Sequence, residues 1–245
     1  MSELTWLGHA SVLIEVDGAR LLTDPLLRER VMHLRRHAPP IAPPGRVDAV
    51  LLSHLHRDHL DIPSLRAVEA DLLVVPRGAA KAVQRLKRET VELAAGDSLR
   101  VGAVTVHAVN AVHDGRRSPV SAPADALGYV VEGSSRVYFA GDTERFDAMA
   151  ALAPLDVALM PIWGWGPSLG PGHMDPDQAA KAVALIRPAL AIPIHWGTYL
   201  PITLGQRRGD LLVEPPRRFA ERCAELVPDT RVAVLSPGGT MILPP

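Results

Sequence analysis

Three observations predict an α/β fold. Short runs rich in Val, Ile and Leu, bounded by turn residues, recur along the whole chain and read as strands. Stretches of helical period separate several of them. Acid and imidazole side chains fall just past the strands, at the carboxyl ends where α/β proteins commonly build their sites. Taken in order, strands are expected at 4–7, 11–16, 20–23, 49–53, 72–75 and 104–109, and again at 127–132, 135–140, 156–160, 190–194 and 232–235. The first helix is expected at about 62–68, with Asp61 as N-cap and Pro63 in its first turn. Others are expected at about 77–87, 144–152, 176–187 and 216–226. The chain therefore reads as two halves, each of strands followed by helices.

Composition agrees with one undivided domain over residues 1–245. Hydrophobic residues make up 47% and charged residues 22%, as in ordinary globular proteins, and a formal net charge of −1 argues against a general nucleic-acid binder. The first residues carry no basic segment leading into an apolar stretch, and no apolar run of about 18 residues marks a transmembrane helix. A cytoplasmic location is expected. The single cysteine, Cys223, cannot form an intrachain disulfide; it shares a helical face with Phe219 and Leu226 and is expected to pack in the core. The sequence leaves the oligomeric state open.

The segment His54-Leu55-His56-Arg57-Asp58-His59 follows the apolar run Val47–Leu52 and brings three imidazoles and a carboxylate into six residues. Imidazole nitrogen and carboxylate oxygen suit borderline divalent ions such as zinc, and a site without thiolates tends to be an open, water-bearing one. That chemistry points to hydrolysis. Further candidates stand past other strands: Asp24 after 20–23, His113 after 104–109, Asp142 after 135–140 and His195 after 190–194. Ser53 precedes the cluster without a separate histidine to act as its base, so it reads as packing beside the ligands rather than as a nucleophile.

In this order the motifs resemble the metallo-β-lactamase superfamily, with its strand-end Asp, H-x-H-x-D-H, lone His, Asp and final His. Trp6-Leu7-Gly8-His9-Ala10-Ser11, Gly172-His173-Met174-Asp175-Pro176 and Ile194-His195-Trp196-Gly197-Thr198 are similar to the branch holding N-acyl-phosphatidylethanolamine phospholipase D and the ascorbate-phosphate lactonases. The resemblance runs from residue 4 to about 200. It implies a four-layer αββα sandwich, two sheets face to face between helical layers. It also implies two divalent ions, zinc favoured and manganese or iron as alternatives. His54, His56 and His113 would hold one, Asp58, His59 and His195 the other, and Asp142 would bridge them. Two such ions sit ~3.5–4 Å apart and supply hydroxide near neutral pH by lowering the pKa of water.

Asp24 is expected to accept the spare ring N–H of a ligating histidine, which typically changes metal affinity or activity by ~10–100-fold. His9 matches the branch motif and reads equally as a residue near the site or as a buried structural histidine, while His107, on a strand, reads as structural. Asp58 is expected to orient the nucleophile as well as to ligate. His173, just before a helix start, reads as a hydrogen-bond donor or general acid, with packing against its own helix as the alternative. Two segments fit no core element. Residues 25–46, rich in Arg and Pro, read as a loop over the site, with Arg35 and Arg36 as substrate contacts; biased composition would also account for the arginines. Residues 161–174 read as a second, aromatic loop with Trp163 and Trp165 as substrate contacts, or as surface packing.

The leading expectation is a binuclear zinc hydrolase that uses a metal-bridging hydroxide on a small, anionic phosphoester, phosphodiester or lactone. Arginines at 28–36, at Arg116 and Arg117, and at Arg207 and Arg208 favour negative charge on the substrate. The chain lacks the helical insertion of the related nucleases and the signal peptide and zinc-ligating cysteine of secreted β-lactamases. The flavodiiron group carries a carboxylate where His56 stands. The alternative is a binding or sensor module with the same fold and little turnover, against which the full ligand set argues.

Overall fold

A computed structural model describes residues 2–117, 121–164, 170–204 and 209–243. The first half of the chain forms β1 (Glu3–Gly8), β2 (Ser11–Val16), β3 (Ala19–Thr23), β4 (Arg30–Val31), β5 (Leu34–Arg36), β6 (Arg46–Leu51), α1 (Ile62–Ala67), β7 (Glu69–Pro76), α2 (Ala80–Val83) and β8 (Glu89–Leu93). The second half forms β9 (Ser98–Val101), β10 (Val104–Asn110), β11 (Leu127–Glu132), β12 (Arg136–Phe139), β13 (Val157–Pro161), α3 (Pro176–Ile186), β14 (Leu190–Ile194), β15 (Tyr199–Pro201), α4 (Asp210–Leu226), β16 (Arg231–Val232) and β17 (Gly239–Ile242).

Two large sheets result, in the orders β17-β1-β2-β3-β6-β7-β8 and β16-β14-β13-β12-β11-β10-β9. In the first, β3, β6, β7 and β8 run parallel. In the second, β12, β13, β14 and β16 run parallel, and β10 shares their direction because two successive antiparallel pairings, β10 with β11 and β11 with β12, restore it. The ends of β3, β6, β10, β12 and β14 carry the candidate ligands. One edge of the first sheet is formed by β17, which pairs antiparallel with β1, Trp6 opposite Gly239.

Period-two alternation sorts the side chains between layers. Leu4, Trp6, Val12, Ile14, Leu21 and Leu51 of the first sheet join Val104, Val106, Tyr129, Val131, Val137 and Phe139 of the second in one buried cluster. The alternate residues Leu13, Leu22, Val50, Leu73 and Val75 pack instead with Leu65 and Val83 of α1 and α2. On the far side, Ala179, Val183 and Ile186 of α3 and Phe219 and Cys223 of α4 are buried. This is the expected four-layer arrangement. Each fully buried Leu, Val or Phe contributes about 1.5–3 kcal/mol, so the inter-sheet layer is the main source of stability. Burial pushes the Cys223 thiol up to about 12, as a packed core thiol requires.

Local chemistry explains the helix ends. Asp61 accepts the Ser64 N–H at the start of α1, and Asp175 accepts the Gln178 N–H at the start of α3, each followed by proline in the first turn. Other expected helices differ. The one at 77–87 is a single turn, α2, running into a 3₁₀ turn at Gln84–Leu86, and the one at 144–152 is a 3₁₀ segment at Asp147–Leu152. The last helix starts at Asp210, not 216: Pro215 and Pro216 lie buried inside α4, where proline, which removes a ladder hydrogen bond, ordinarily marks a helix start.

The expected loop at 25–46 is partly a hairpin. β4 and β5 pair with each other, and β15 adds a third strand with Tyr199 opposite Arg36. Leu26, Val31, Leu34 and Tyr199 form its own small core. Strands of two and three residues show too little alternation to be read from sequence. No described helix is long and apolar enough to cross a membrane.

Candidate metal centre

The loop after β6 turns tightly enough to bring residues 54, 56, 58 and 59 to one side. His59 N–H and Leu60 N–H both donate to His56 O, at 3.1 and 2.8 Å, closing a turn that aims His54, His56, Asp58 and His59 at one point. Beneath it, Asp24 is fully buried and serves three donors: Ser53 N–H at 2.7 Å, Ser53 Oγ–H at 2.5 Å and His59 Nδ1–H at 2.7 Å. Since the Ser53 hydroxyl gives its proton to Asp24, it accepts from His54 Nδ1–H at 2.9 Å. Asp24 thus fixes two tautomers, His59 directly and His54 through Ser53, and leaves both Nε2 lone pairs facing the centre.

The second sheet supplies the opposite wall. His113 donates Nδ1–H to Gly172 O at 2.8 Å, and His195 donates Nδ1–H to Trp163 O at 2.6 Å. Their Nε2 lone pairs also point inward. Asp142 follows Gly141, whose φ of +63° and close approach to Ser53, 2.7 Å from where a Cβ would lie, exclude a side chain. His9 is buried, places Nε2 3.0 Å from Asp58 Oδ2 and lays its ring 3.9 Å from that of His195. Its carbonyl accepts both His195 N–H and Trp6 Nε1–H at 2.9 Å, and its N–H donates to Thr198 Oγ1 at 2.8 Å. His9, Asp24 and His195 all have positive φ, of 53°, 31° and 63°. Strain at non-glycine residues costs about 1–3 kcal/mol each and tends to be held at functional sites.

The arrangement calls for a cation. His59 Nε2 lies 3.2 Å from His195 Nε2 and 3.2 Å from Asp142 Oδ2, and His113 Nε2 lies 3.1 Å from His56 Nδ1. His54 Nε2 is buried without a hydrogen-bond partner. Asp142 Oδ1 faces His195 Nε2 at 3.2 Å, a lone pair rather than a donor, and is unsatisfied too. Burial opposes charge throughout. It lowers His54 well below the usual imidazole range and His195 to about 3. At His59 burial is outweighed by Asp142, Asp58 and Asp24, which raise it well above that range. At Asp58 and Asp142 burial is outweighed by surrounding histidines, chiefly His59 and His195 respectively, which hold both carboxyls well below their usual range. His54 and His195 are thus neutral beside the ionised Asp58 and Asp142, which are the ligand-ready states, whereas His59 holds a proton among its carboxylates and would release it on ligating a cation.

Among the described residues, ligand atoms gather in groups lying within 4.8 Å of one another: His54, His56 and His113; His9, Asp58, His59 and His195; and His113, Asp142 and His173. These nitrogen and oxygen donors are able to bind a divalent ion. His173 Nε2 approaches Asp142 Oδ2 at 3.3 Å, while its Nδ1 lies 3.2 Å from Gly170 O and Pro171 O.

The expected substrate contacts fare differently. Arg36 is buried, and its guanidinium donates to Leu7 O at 2.8 Å and Pro39 O at 3.0 Å, so it holds backbone rather than facing a ligand. Arg35 is exposed on β5. Trp163 is buried; its carbonyl orients His195, and its ring borders a cleft of about 410 Å³ against Pro176 and the start of α4. Trp165, Arg207 and Arg208 lie outside the described residues. Arg28 pairs with Asp61, Arg116 pairs with Asp114, and Arg117 donates to Leu55 O and Leu60 O. Thr198, Thr143 and Glu144, which brace the site loops, carry no sequence signal beyond standing next to motif residues.

A family model for the β-lactamase superfamily domain matches residues 19–196. A UPF0173 metal-dependent hydrolase of Methanopyrus kandleri is 33% identical over 96% of this chain and 97% of its own length. An N-acyl-phosphatidylethanolamine-hydrolyzing phospholipase D of Caenorhabditis elegans is 31% identical over 80% of this chain and 64% of its own. The solved metallo hydrolase Igni18 of Ignicoccus hospitalis superposes with a TM-score of 0.70 at 21% identity, over 98% of this chain and 97% of that one. The chain belongs to the metallo-β-lactamase superfamily. Within it, the chain stands with the metal-dependent hydrolases.

Proposed function

We propose that this protein is a binuclear hydrolase, with zinc as the favoured metal, that cleaves a small phosphodiester or a lactone. The observation that carries the reading is the pair of converging donor groups, His54, His56 and His113 on one side and Asp58, His59 and His195 on the other, with Asp142 between them. When bound, such ions polarise the scissile group and make hydroxide available near neutral pH. Asp58, held by His9, orients the attacking water. His173 hands the proton at Nε2 to the leaving group, its Nδ1 end being steadied by Gly170 O and Pro171 O. The phospholipase D relative supports a phosphodiester. The arginines support it less than their number promises, because Arg28, Arg36, Arg116 and Arg117 have protein partners, which leaves, among the described residues of these loops, exposed Arg30, Arg35 and Arg57 to meet an anion.

The test is zinc-loaded protein assayed on bis-p-nitrophenyl phosphate and on a simple lactone, beside a chelated control. Turnover of one substrate with two ions per chain supports the reading; no turnover above the control removes it. His173→Ala sharpens the result. Loss of kcat by ~10²–10⁴-fold on poor leaving groups, with little loss on p-nitrophenyl esters, marks a proton donor. Equal loss on both marks positioning.

A further inference from the structure

Glu144 lies two residues past Asp142, half-buried, and none of the chemistry above uses it. Its Oε1 accepts the N–H of Gly172 at 2.7 Å. The carbonyl of that same Gly172 accepts His113 Nδ1–H at 2.8 Å, and the next residue in the chain is His173. The turn sits hard against the His113 ring: a Cβ at Gly172, where φ is +85°, would lie 2.5 Å from His113 Nδ1. Glu144 is itself anchored to the segment carrying His113. Its N–H donates to Val112 O at 3.0 Å, and the preceding Thr143 Oγ1 accepts Val112 N–H at 2.9 Å.

We propose that Glu144 is a positioning residue for the metal centre, fixing the Gly170–His173 turn and, through it, the tautomer of His113 and the reach of His173. The inference rests on the reading of His113 as a ligand. Gly172 is buried, so losing the carboxylate strands a buried N–H and frees the turn to move. Once the turn moves, His113 has no fixed acceptor for Nδ1–H, and its Nε2 lone pair is no longer held toward the centre. Glu144 thus serves His113 as Asp24 serves His59, but at one remove, through a peptide.

The experiment measures zinc content and resistance to a competing chelator, together with kcat and KM, for Glu144→Ala, Glu144→Gln and His113→Ala. Glu144→Ala is expected to weaken zinc retention and to lower kcat, each by ~10–100-fold, with KM nearly unchanged. Glu144→Gln keeps an oxygen that can accept from Gly172 N–H and is expected to restore both. Wild-type retention and turnover in Glu144→Ala, or a Glu144→Gln as impaired as the alanine variant, overturns the inference. Should Glu144→Ala fail to fold, Glu144→Asp, one methylene short, is expected to fold and to show the same loss of zinc; wild-type behaviour there overturns it equally. If His113→Ala loses zinc while the Glu144 variants do not, the positioning role alone falls. If His113→Ala keeps its zinc, the ligand assignment falls and the positioning role with it.

Discussion

The loop after β6 brings four of the seven candidate ligands within six residues, whereas the second sheet delivers His113, Asp142 and His195 from three separate strand ends. Their supports differ as well. His54 and His59 are backed by one buried carboxylate, Asp24, acting directly or through Ser53. His113 and His195 are backed by the carbonyls of Gly172 and Trp163, which belong to loops. The first wall is therefore held by side-chain chemistry that a single substitution removes. The second is held by loop conformation, which responds to whatever braces the loop.

The largest effect is expected where the walls meet. Asp142 touches His59, His173 and His195, so Asp142→Ala should lower metal content at both positions and reduce turnover to the chelated background. Elemental analysis checks this, and two tightly retained ions would show that Asp142 is not shared between them. Asp58→Asn keeps the shape of the first wall and removes its charge. A fall in kcat of at least ~10²-fold is expected with metal retained, and near-wild-type turnover would move the orienting role to another residue.

Asp24→Ala should separate the walls. It strips the acceptor from Ser53 and His59 and is expected to weaken metal binding by ~10–100-fold while leaving the bond between His113 and Gly172 in place. Because Asp24 backs His54 of one donor group and His59 of the other, both ions should weaken in a titration; full retention of either would show that Asp24 does not support that group. The smallest effects concern the arginines. Arg36→Ala leaves Leu7 O and Pro39 O without a donor and should cost about 1–3 kcal/mol, seen as a lower Tm, with KM unaffected. Arg35→Ala should leave Tm unchanged and raise KM modestly, and only for an anionic substrate at low salt. The reverse pattern would return Arg36 to substrate binding.

The same contrast accounts for what the sequence made legible. Strands buried on one or both faces, such as β2, β10 and β14, announce themselves by apolar runs whose ends fall within a residue of the strand ends. The cluster His54–His59 is local, so its chemistry can be read without a fold. His113 and His195 became candidates by standing past strands, and their pairing needed either the fold or a resemblance to supply it. β5, β15 and β17 are short and made regular by partners distant in sequence, and β4 is two residues of a local hairpin, so none of them shows a pattern of its own. Arg36 misled for a related reason: composition marks a guanidinium as available, and only packing reveals that two backbone carbonyls already hold it. The braces Thr143, Glu144 and Thr198 are ordinary polar residues until distant loops arrive beside them.

The seal of β17 on β1 bears on the order of events during synthesis. β1 is made well before β17, and Gly238 N–H closes on Trp6 O at 2.6 Å across more than two hundred residues. Until residues 239–242 leave the ribosome, the nascent protein carries an open strand edge beside Trp6, the kind of edge that templates pairing with other chains. Such a long-range contact also forms slowly. Termination between α4 and β17 would therefore release a chain with its full set of candidate ligands and with β1 as an unguarded edge, prone to self-association.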